Sequence, residues 1–91
     1  MIFEWDKEKA TSNLKKHKVA FEEATYVFQD DNRIEIFDAE HSGAENRYIT
    51  IGMVGVVLFV VYTERKDSIR IISARKANSL ERRIYYGNIH T

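Results

Sequence analysis

The amino-acid sequence predicts an α+β domain in which helices pack on an antiparallel β-sheet. Apolar residues recur at helical spacing near both ends of the chain, whereas the middle alternates with a period of two residues. The strand-like segments follow one another through short turns, which favours an antiparallel meander over alternating βαβ units. We therefore expect the order β-α-α-β-β-β-β-α, with two N-terminal helices and one C-terminal helix, in a single domain spanning residues 1–91.

The N-terminal part is predicted to contain a short strand over residues 2–5 and two helices. Asp6 can cap the first helix, which runs to about His17, because its carboxylate accepts hydrogen bonds from free backbone N–H groups. Apolar residues three and four positions apart predict the second helix over residues 21–28.

The first helix is predicted to have an apolar side and a cationic side. Ala10 and Leu14 fall on the apolar side in a helical projection. The polar side carries Lys9, Asn13 and Lys16, and His17 lies at the edge between the two sides. This helix therefore combines a packing surface with a row of positive charge.

Four strands are predicted in the middle of the chain. Residues 34–37 and 47–51 alternate between apolar and polar side chains, as half-buried strands do. Residues 56–61 are apolar throughout and predict a central strand that is covered on both faces, and residues 68–75 predict the last strand. The two glycines in residues 52–55 predict a hairpin connection.

The last helix begins at a capping box. Asn78 is followed three residues later by Glu81, so each side chain can bond to the other's backbone N–H. The helix then carries Leu80 and Ile84, with Arg83 on its flank.

Composition excludes several kinds of function. The chain has no cysteine, which excludes disulfides, thiol nucleophiles and cysteine-type zinc sites. Its histidines, His17, His41 and His90, are scattered, and there is no glycine-rich phosphate loop, so we expect neither metal nor cofactor. The longest apolar run is far shorter than the roughly 20 residues that span a bilayer, and the N-terminus does not resemble a signal peptide. We expect a cytoplasmic protein without membrane contact.

Charge is strongly segregated although the net charge is zero. Residues 21–46 carry a net charge of −7, whereas residues 1–20 carry +2 and residues 62–91 carry +4. If the two ends of the chain meet, they form one basic surface beside an acidic middle, which suits a polyanion such as RNA. The alternative is that these charge runs are only solvated surfaces.

The basic and aromatic residues offer the parts that metal-free RNA cleavage requires. Arginines can stabilise the extra charge on phosphoryl oxygens, and we expect Arg65 and Arg70 to lie together, with Arg75 toward the other end of the sheet. His17 can transfer protons, although a half-buried structural histidine is the alternative, and Lys16 and Glu64 are further candidates. The candidate RNA-binding residues are Lys9, Trp5, Arg70 and Arg83. For Trp5 core packing is the alternative to base stacking, and for Arg70 a cross-strand pair with Glu64 is the alternative to function.

The sequence also resembles a known family. The motifs that carry the resemblance are Phe3-Glu4-Trp5-Asp6, Lys16-His17, Phe21-Glu22-Glu23-Ala24, His41-Ser42 with Glu45 and Arg47, Thr63-Glu64-Arg65, and Arg70 to Ala77 followed by Glu81-Arg82-Arg83. Together they closely resemble the BrnT family of type II toxins over nearly the whole chain. The resemblance implies a RelE-like fold and a metal-independent endoribonuclease of the mRNA interferase type, which inhibits translation.

The resemblance also implies partners and site residues. It implies neutralisation by a BrnA-type antitoxin, with operator DNA bound only through the antitoxin complex. Arg65 and Arg75 resemble the family's arginines at the catalytic surface, which requires the two to share one concave wall. Lys16 and His17 from the first helix and Arg82 or Tyr85 from the last complete the catalytic set that the resemblance implies. Two alternatives remain open: a non-catalytic module that binds an antitoxin, and a decayed toxin that acts in operator autoregulation.

The chain departs from the pattern of the family on either side of the second helix, where the Asp-Pro that many members carry after this helix is replaced by Asp30-Asp31. Members often have glycine after the histidine of the first helix, and serine or threonine before the Phe-Glu-Glu motif, where this chain has Lys18 and Ala20. The second helix is therefore expected to lack a side-chain cap.

Overall fold

Five strands form one mixed sheet in the computed structural model, which describes residues 1–89. The elements are β1 (Ile2–Glu4), α1 (Lys7–His17), α2 (Phe21–Ala24), a 3₁₀ helix (Thr25–Gln29), β2 (Ile34–Phe37), β3 (Arg47–Val54), β4 (Val56–Arg65), β5 (Ser68–Lys76) and α3 (Ser79–Ile89). The strands lie in the order β1-β5-β4-β3-β2. The α+β class and the central position of β4 are confirmed, and His90 lies outside the described residues.

The prediction of a purely antiparallel sheet is wrong at β1. Strands β2 to β5 pair as an antiparallel meander, but β1 pairs in parallel with β5 and aligns Phe3 with Ile69. Parallel pairing requires a long connection, and here that connection is the rest of the domain. The parallel edge places α1, which follows β1 directly, beside β5.

The predicted four-residue turn at 52–55 is also wrong. β3 continues to Val54, and only Gly55 turns the chain, with a φ of 73°. Gly52 pairs with Leu58 inside the hairpin, where an added Cβ atom would lie 2.6 Å from a methyl group of Val27. Gly52 is therefore needed because the 3₁₀ helix packs directly on the backbone of β3.

The second predicted helix divides into two elements. The α-helical part ends at Ala24, and a 3₁₀ helix continues to Gln29. Residues 25–28 are threonine, tyrosine, valine and phenylalanine, all weak helix formers, which explains the tighter and shorter element. The Ala20 N-cap makes no side-chain hydrogen bond, as its residue type predicts, and Lys18 ends α1 in the left-handed conformation with a φ of 61°.

The apolar and polar sides of α1 differ from the prediction. Asn13 is 7% exposed, whereas Leu14 is 49% exposed. The Asn13 amide donates to the backbone oxygens of Val19 (2.9 Å) and Ala74 (2.8 Å), and its oxygen accepts from the Ala74 N–H at 3.1 Å. Because α1 covers the edge of β5 instead of lying flat on the sheet, a polar residue that binds the strand backbone replaces an apolar contact.

Each face of the sheet has its own apolar cluster. The face under α2 buries the larger cluster, which comprises Val19, Phe21, Ala24, Val27, Leu58, Val60, Ile71 and Ala74. The opposite face, called here the α3 face, buries Ile51, Val57, Ala77 and Tyr85. This second cluster lies under α3, and within residues 1–89 no helix covers the other end of the α3 face. Within residues 1–89 no helix is long and apolar enough to cross a bilayer.

Candidate nucleic-acid interface

The uncovered end of the α3 face contains a cleft of about 390 Å³, called here the basic cleft. It is lined by Lys9, His41, Gly43, Ala44, Glu45, Arg47, Thr63, Arg65, Arg70 and Ile72. Four of these side chains are cationic, and one, Glu45, is a carboxylate. The cleft therefore offers an excess of positive charge in a concave surface, which attracts anions.

Strand register brings three of these residues into one row. Arg47 on β3 aligns with Thr63 on β4, and Thr63 aligns with Arg70 on β5. Side chains of directly paired residues point to the same face of a sheet. Arg65, two residues beyond Thr63, points to the same face. The prediction that Arg65 and Arg70 lie together is thus confirmed.

Carboxylates compensate the arginines of the cleft only in part. Arg65 donates to both carboxylate oxygens of Glu45, at 3.0 and 3.2 Å. Glu4 lies 3.5 Å from a guanidinium nitrogen of Arg65 and 3.8 Å from one of Arg70. The side chains in these pairs are partly exposed, although Glu4 Oε1 itself is buried and accepts no hydrogen bond within residues 1–89. Partly exposed pairs contribute only about 0–1 kcal/mol, so an incoming phosphate can displace them. Arg70 pairs with Glu4 and not with Glu64.

The loop over residues 38–46 forms one wall of the basic cleft. The Asp38 carboxylate lies 2.9 Å from Nδ1 of His41, and the Ser42 hydroxyl donates to the backbone oxygen of Asp38 at 2.7 Å. Ser42 also accepts from the Arg47 N–H. These local bonds fold the loop back on the start of β3 and bring Glu45 to Arg65.

A second cavity of about 350 Å³ adjoins the basic cleft and is called here the α1 groove. Its lining residues are Glu8, Lys9, Ser12, Asn13, Lys16, His17 and Ile72. Lys9 and Ile72 line both cavities, so the two form one continuous surface. Asn13 fixes α1 to β5 and so sets the position of Lys9, Lys16 and His17. The structure therefore brings together Lys9, Lys16, His17, Arg65 and Arg70 from the predicted residues.

Arg75 lies outside this surface. It occupies the α3 face like Arg65, but its guanidinium donates to both oxygens of Glu81, at 2.8 and 2.9 Å, and covers the Phe59 ring at 4.0 Å. The hydrogen bonds to Glu81 raise the pKa of Arg75. Those from Arg75 lower the pKa of Glu81. Arg65 and Arg75 therefore share a sheet face but do not line one cleft, and the expectation that they share one concave wall is wrong.

Glu81 also completes the predicted capping box of α3. It accepts from the Asn78 N–H at 2.9 Å, and the Asn78 side chain accepts from the Glu81 N–H at 2.8 Å. Arg82 donates to the backbone oxygen of Ala77 and to the Ser79 hydroxyl in the same turn. The donors of Arg75 and Arg82 are thus used to fix the start of α3.

The remaining predicted residues also lie away from the cleft. Tyr85 is buried and donates to Asp30 at 2.6 Å, and burial together with this bond raises its pKa to about 12. The Trp5 ring packs edge to face on Phe21 at the opposite face of the sheet. Arg83 is exposed on α3.

Four residues of the surface had no role assigned from the residues themselves. Arg47, Thr63 and Glu45 line the cleft, and Asn13 fixes α1. A polar residue in the middle of a helix, as Asn13 is, is a usable signal of a specific hydrogen bond. Arg47 begins its strand after an irregular loop, so only the strand register shows that it faces Thr63. Within residues 1–89 no group of three or more His, Asp or Glu side chains is placed to bind a metal ion.

Comparison with known proteins identifies a family and a solved structure with a similar fold. The family model described as "Ribonuclease toxin, BrnT, of type II toxin-antitoxin system" matches residues 5–81. The chain belongs to the BrnT family. The fold is similar to the 1.1 Å crystal structure of the Brucella abortus ribonuclease toxin BrnT, with a TM-score of 0.66 and 19% sequence identity. That match covers 87% of this chain and 100% of the other. No curated protein sequence matches this chain.

The resemblance inferred from the sequence motifs is thus confirmed. The protein is a member of a ribonuclease toxin family of type II toxin-antitoxin systems, with an antitoxin as the partner that such a system implies. The basic cleft and the α1 groove both lie within the matched residues.

Proposed function

We propose that this BrnT-family protein is a metal-independent endoribonuclease, a RelE-like mRNA interferase that inhibits translation by cutting RNA. The observation that best supports this proposal is the convergence of Lys9, Arg47, Arg65 and Arg70 on one cleft, each from a different element of the fold. Arginine donates several fixed hydrogen bonds to phosphate and stays charged at all accessible pH values. A continuous basic surface over two cavities fits a nucleic-acid strand better than a single small anion.

The chemistry that this surface suits is transfer of a phosphoryl group within the RNA strand. The ribose 2′-oxygen attacks the adjacent phosphorus and gives its proton to a base, and the 5′-oxygen of the next nucleotide leaves with a proton from an acid. The products are a 2′,3′-cyclic phosphate and a 5′-hydroxyl. We assign stabilisation of the extra phosphoryl charge to Arg65 and Arg70, and proton transfer to His17 or Lys16 in the adjoining groove.

In this proposal the predicted catalytic set divides into two groups. Lys16, His17 and Arg65 act on RNA, together with Lys9 and Arg70. Arg75, Arg82 and Tyr85 support the fold, because their donors are bound to Glu81, Ala77 and Asp30. We further propose that a BrnA-type antitoxin neutralises the toxin by covering the basic cleft.

Cleavage of RNA by the purified protein in excess chelator tests this function. Wild type is expected to cleave, and the double variant Arg65→Ala/Arg70→Ala is expected to lose activity while remaining folded. Arg83→Ala is the matched control, because it removes an exposed arginine of α3 that lines neither cavity. Cleavage that requires an added metal ion contradicts the mechanism. Antitoxin binding without any cleavage by wild type supports the non-catalytic module instead.

A further inference from the structure

Thr63 presents an unsatisfied hydroxyl at the floor of the basic cleft. The residue is 5% exposed, and within residues 1–89 its Oγ1 has no hydrogen-bond partner. Proteins pair nearly all buried polar groups, because an unpaired buried hydroxyl lowers the stability of the folded state. Valine has the same β-branched shape and the same preference for strands without that cost. The hydroxyl at position 63 therefore lowers the stability of the free protein.

Thr50 on the neighbouring strand shows the usual arrangement. It is fully buried, its hydroxyl donates to the backbone oxygen of Ile34 at 2.9 Å, and it accepts from Arg33 at 3.1 Å. Thr50 lies on the opposite face of the sheet, since it alternates with the residues that face the cleft. The two threonines thus differ in partners although both are buried in central strands.

The surroundings of Thr63 indicate which group would satisfy its hydroxyl. Arg47 and Arg70 flank it on the two neighbouring strands, with Cα atoms about 10 Å apart at ordinary strand spacing. In the described part of the chain the Arg47 guanidinium makes no hydrogen bond or ion pair, and the Arg70 guanidinium makes no hydrogen bond but has a 3.8 Å contact with Glu4 and an electrostatic interaction with Asp6. Two guanidinium groups with free donors on either side of a hydroxyl form a site for an oxyanion.

We propose that Arg47, Thr63 and Arg70 bind one backbone phosphate of the RNA, with the Thr63 hydroxyl donating to a non-bridging oxygen between the two arginines. This inference rests on the proposed function and names the part of the cleft that positions the RNA strand. Thr63 Oγ1 is covered in the free protein, so the phosphate reaches it when the long side chains of the cleft move apart. Thr63 is a positioning residue in this arrangement.

Binding of an uncleavable 2′-deoxy oligonucleotide, measured by fluorescence anisotropy alongside thermal unfolding, tests the proposal. Thr63→Val is expected to weaken binding about tenfold, the effect of one hydrogen bond to a charged group, without lowering Tm. Thr63→Ser keeps the hydroxyl and is expected to bind within about threefold of wild type. Thr50→Val, the matched control, is expected to lower Tm and leave binding unchanged, because its hydroxyl is structural.

Any of three results for Thr63→Val would overturn the proposal. These are unchanged oligonucleotide binding, a fall in Tm like that of Thr50→Val, or weaker binding to the antitoxin with no change in binding to the oligonucleotide. RNA cleavage by wild type in chelator separates this proposal from the proposed function. If wild type does not cleave but Thr63→Val binds more weakly, the phosphate site stands and the enzyme proposal fails. If wild type cleaves but Thr63→Val binds normally, the enzyme proposal stands and the phosphate site fails.

Discussion

Strand β5 carries two arginines, Arg70 and Arg75, on the same face of the sheet, and they differ in how fully their donors are used. Arg75 makes two hydrogen bonds to Glu81 and packs on Phe59. The Arg70 guanidinium makes no hydrogen bond within residues 1–89 and has one ion pair at 3.8 Å. An arginine whose donors are occupied stabilises the fold, whereas one with free donors can bind a ligand. Residue type alone therefore does not separate structural from functional cations.

The largest expected effect is the loss of cleavage rate in Arg70→Ala. Removal of one preorganised donor from a charged transition state costs about 10²–10³ in rate. The stability of this variant should change little, because the contact with Glu4 is long, both side chains are partly exposed, and Glu4 keeps its contact with Arg65. Arg75→Ala, the matched control on the same strand, should lower the free energy of unfolding by about 1–2 kcal/mol and change the rate far less. Single-turnover cleavage and urea unfolding of both variants measure this, and equal rate losses would contradict the division.

The next largest effect is expected for the stability of Asn13→Ala. Asn13 joins α1 to β5 next to Arg75, and the same helix carries cations of the α1 groove. The substitution leaves backbone groups of Ala74 and Val19 without partners, at a cost of about 3 kcal/mol in unfolding free energy. Leu14→Ala is the matched control and should change stability by less than about 1 kcal/mol. Urea unfolding measures both. Equal losses would mean that α1 is bound by apolar packing instead.

Local signals predicted much of the fold. Asp6 and the Asn78–Glu81 capping box mark helix starts through bonds to neighbouring residues, and both caps form as predicted. The period of two in β2 and β3 also follows from side chains close in the sequence. These features depend on contacts within a few residues, so the sequence alone suffices for them.

Long-range pairing explains what the sequence did not predict. Glu4 reaches Arg70 only because β1 joins the sheet in parallel with β5, far away along the chain. Asn13 points inward because α1 covers a strand edge, and a helical projection carries no information on what the helix packs against. The family resemblance places Arg75 with Arg65 at the catalytic surface. The structure instead binds Arg75 to Glu81, and this pairing depends on the direction in which α3 leaves the sheet.

The smallest effect concerns acid stability at the Arg75 end of β5. Hydrogen bonds from Arg75 lower the pKa of Glu81 below its reference value of 4.5, so ionised Glu81 stabilises the folded state. That contribution is complete above pH 4.5 and is lost as the pH falls through the lower folded pKa. Glu81→Gln keeps the capping box but loses the charge. Its unfolding free energy should therefore lie below that of wild type at pH 7, and the difference should shrink toward pH 3.

Urea unfolding of both proteins between pH 3 and pH 7 measures this convergence. The variant still contains Asp30, whose ionisation also stabilises the folded state of both proteins. Burial acts to raise the pKa of Asp30, but hydrogen bonds from Tyr85 and Met53 outweigh burial and lower it. The variant curve should consequently be shallower than that of wild type without becoming flat. Parallel curves would show that the Arg75–Glu81 pair does not stabilise the fold, and Arg75 would then be as available for a ligand as Arg70.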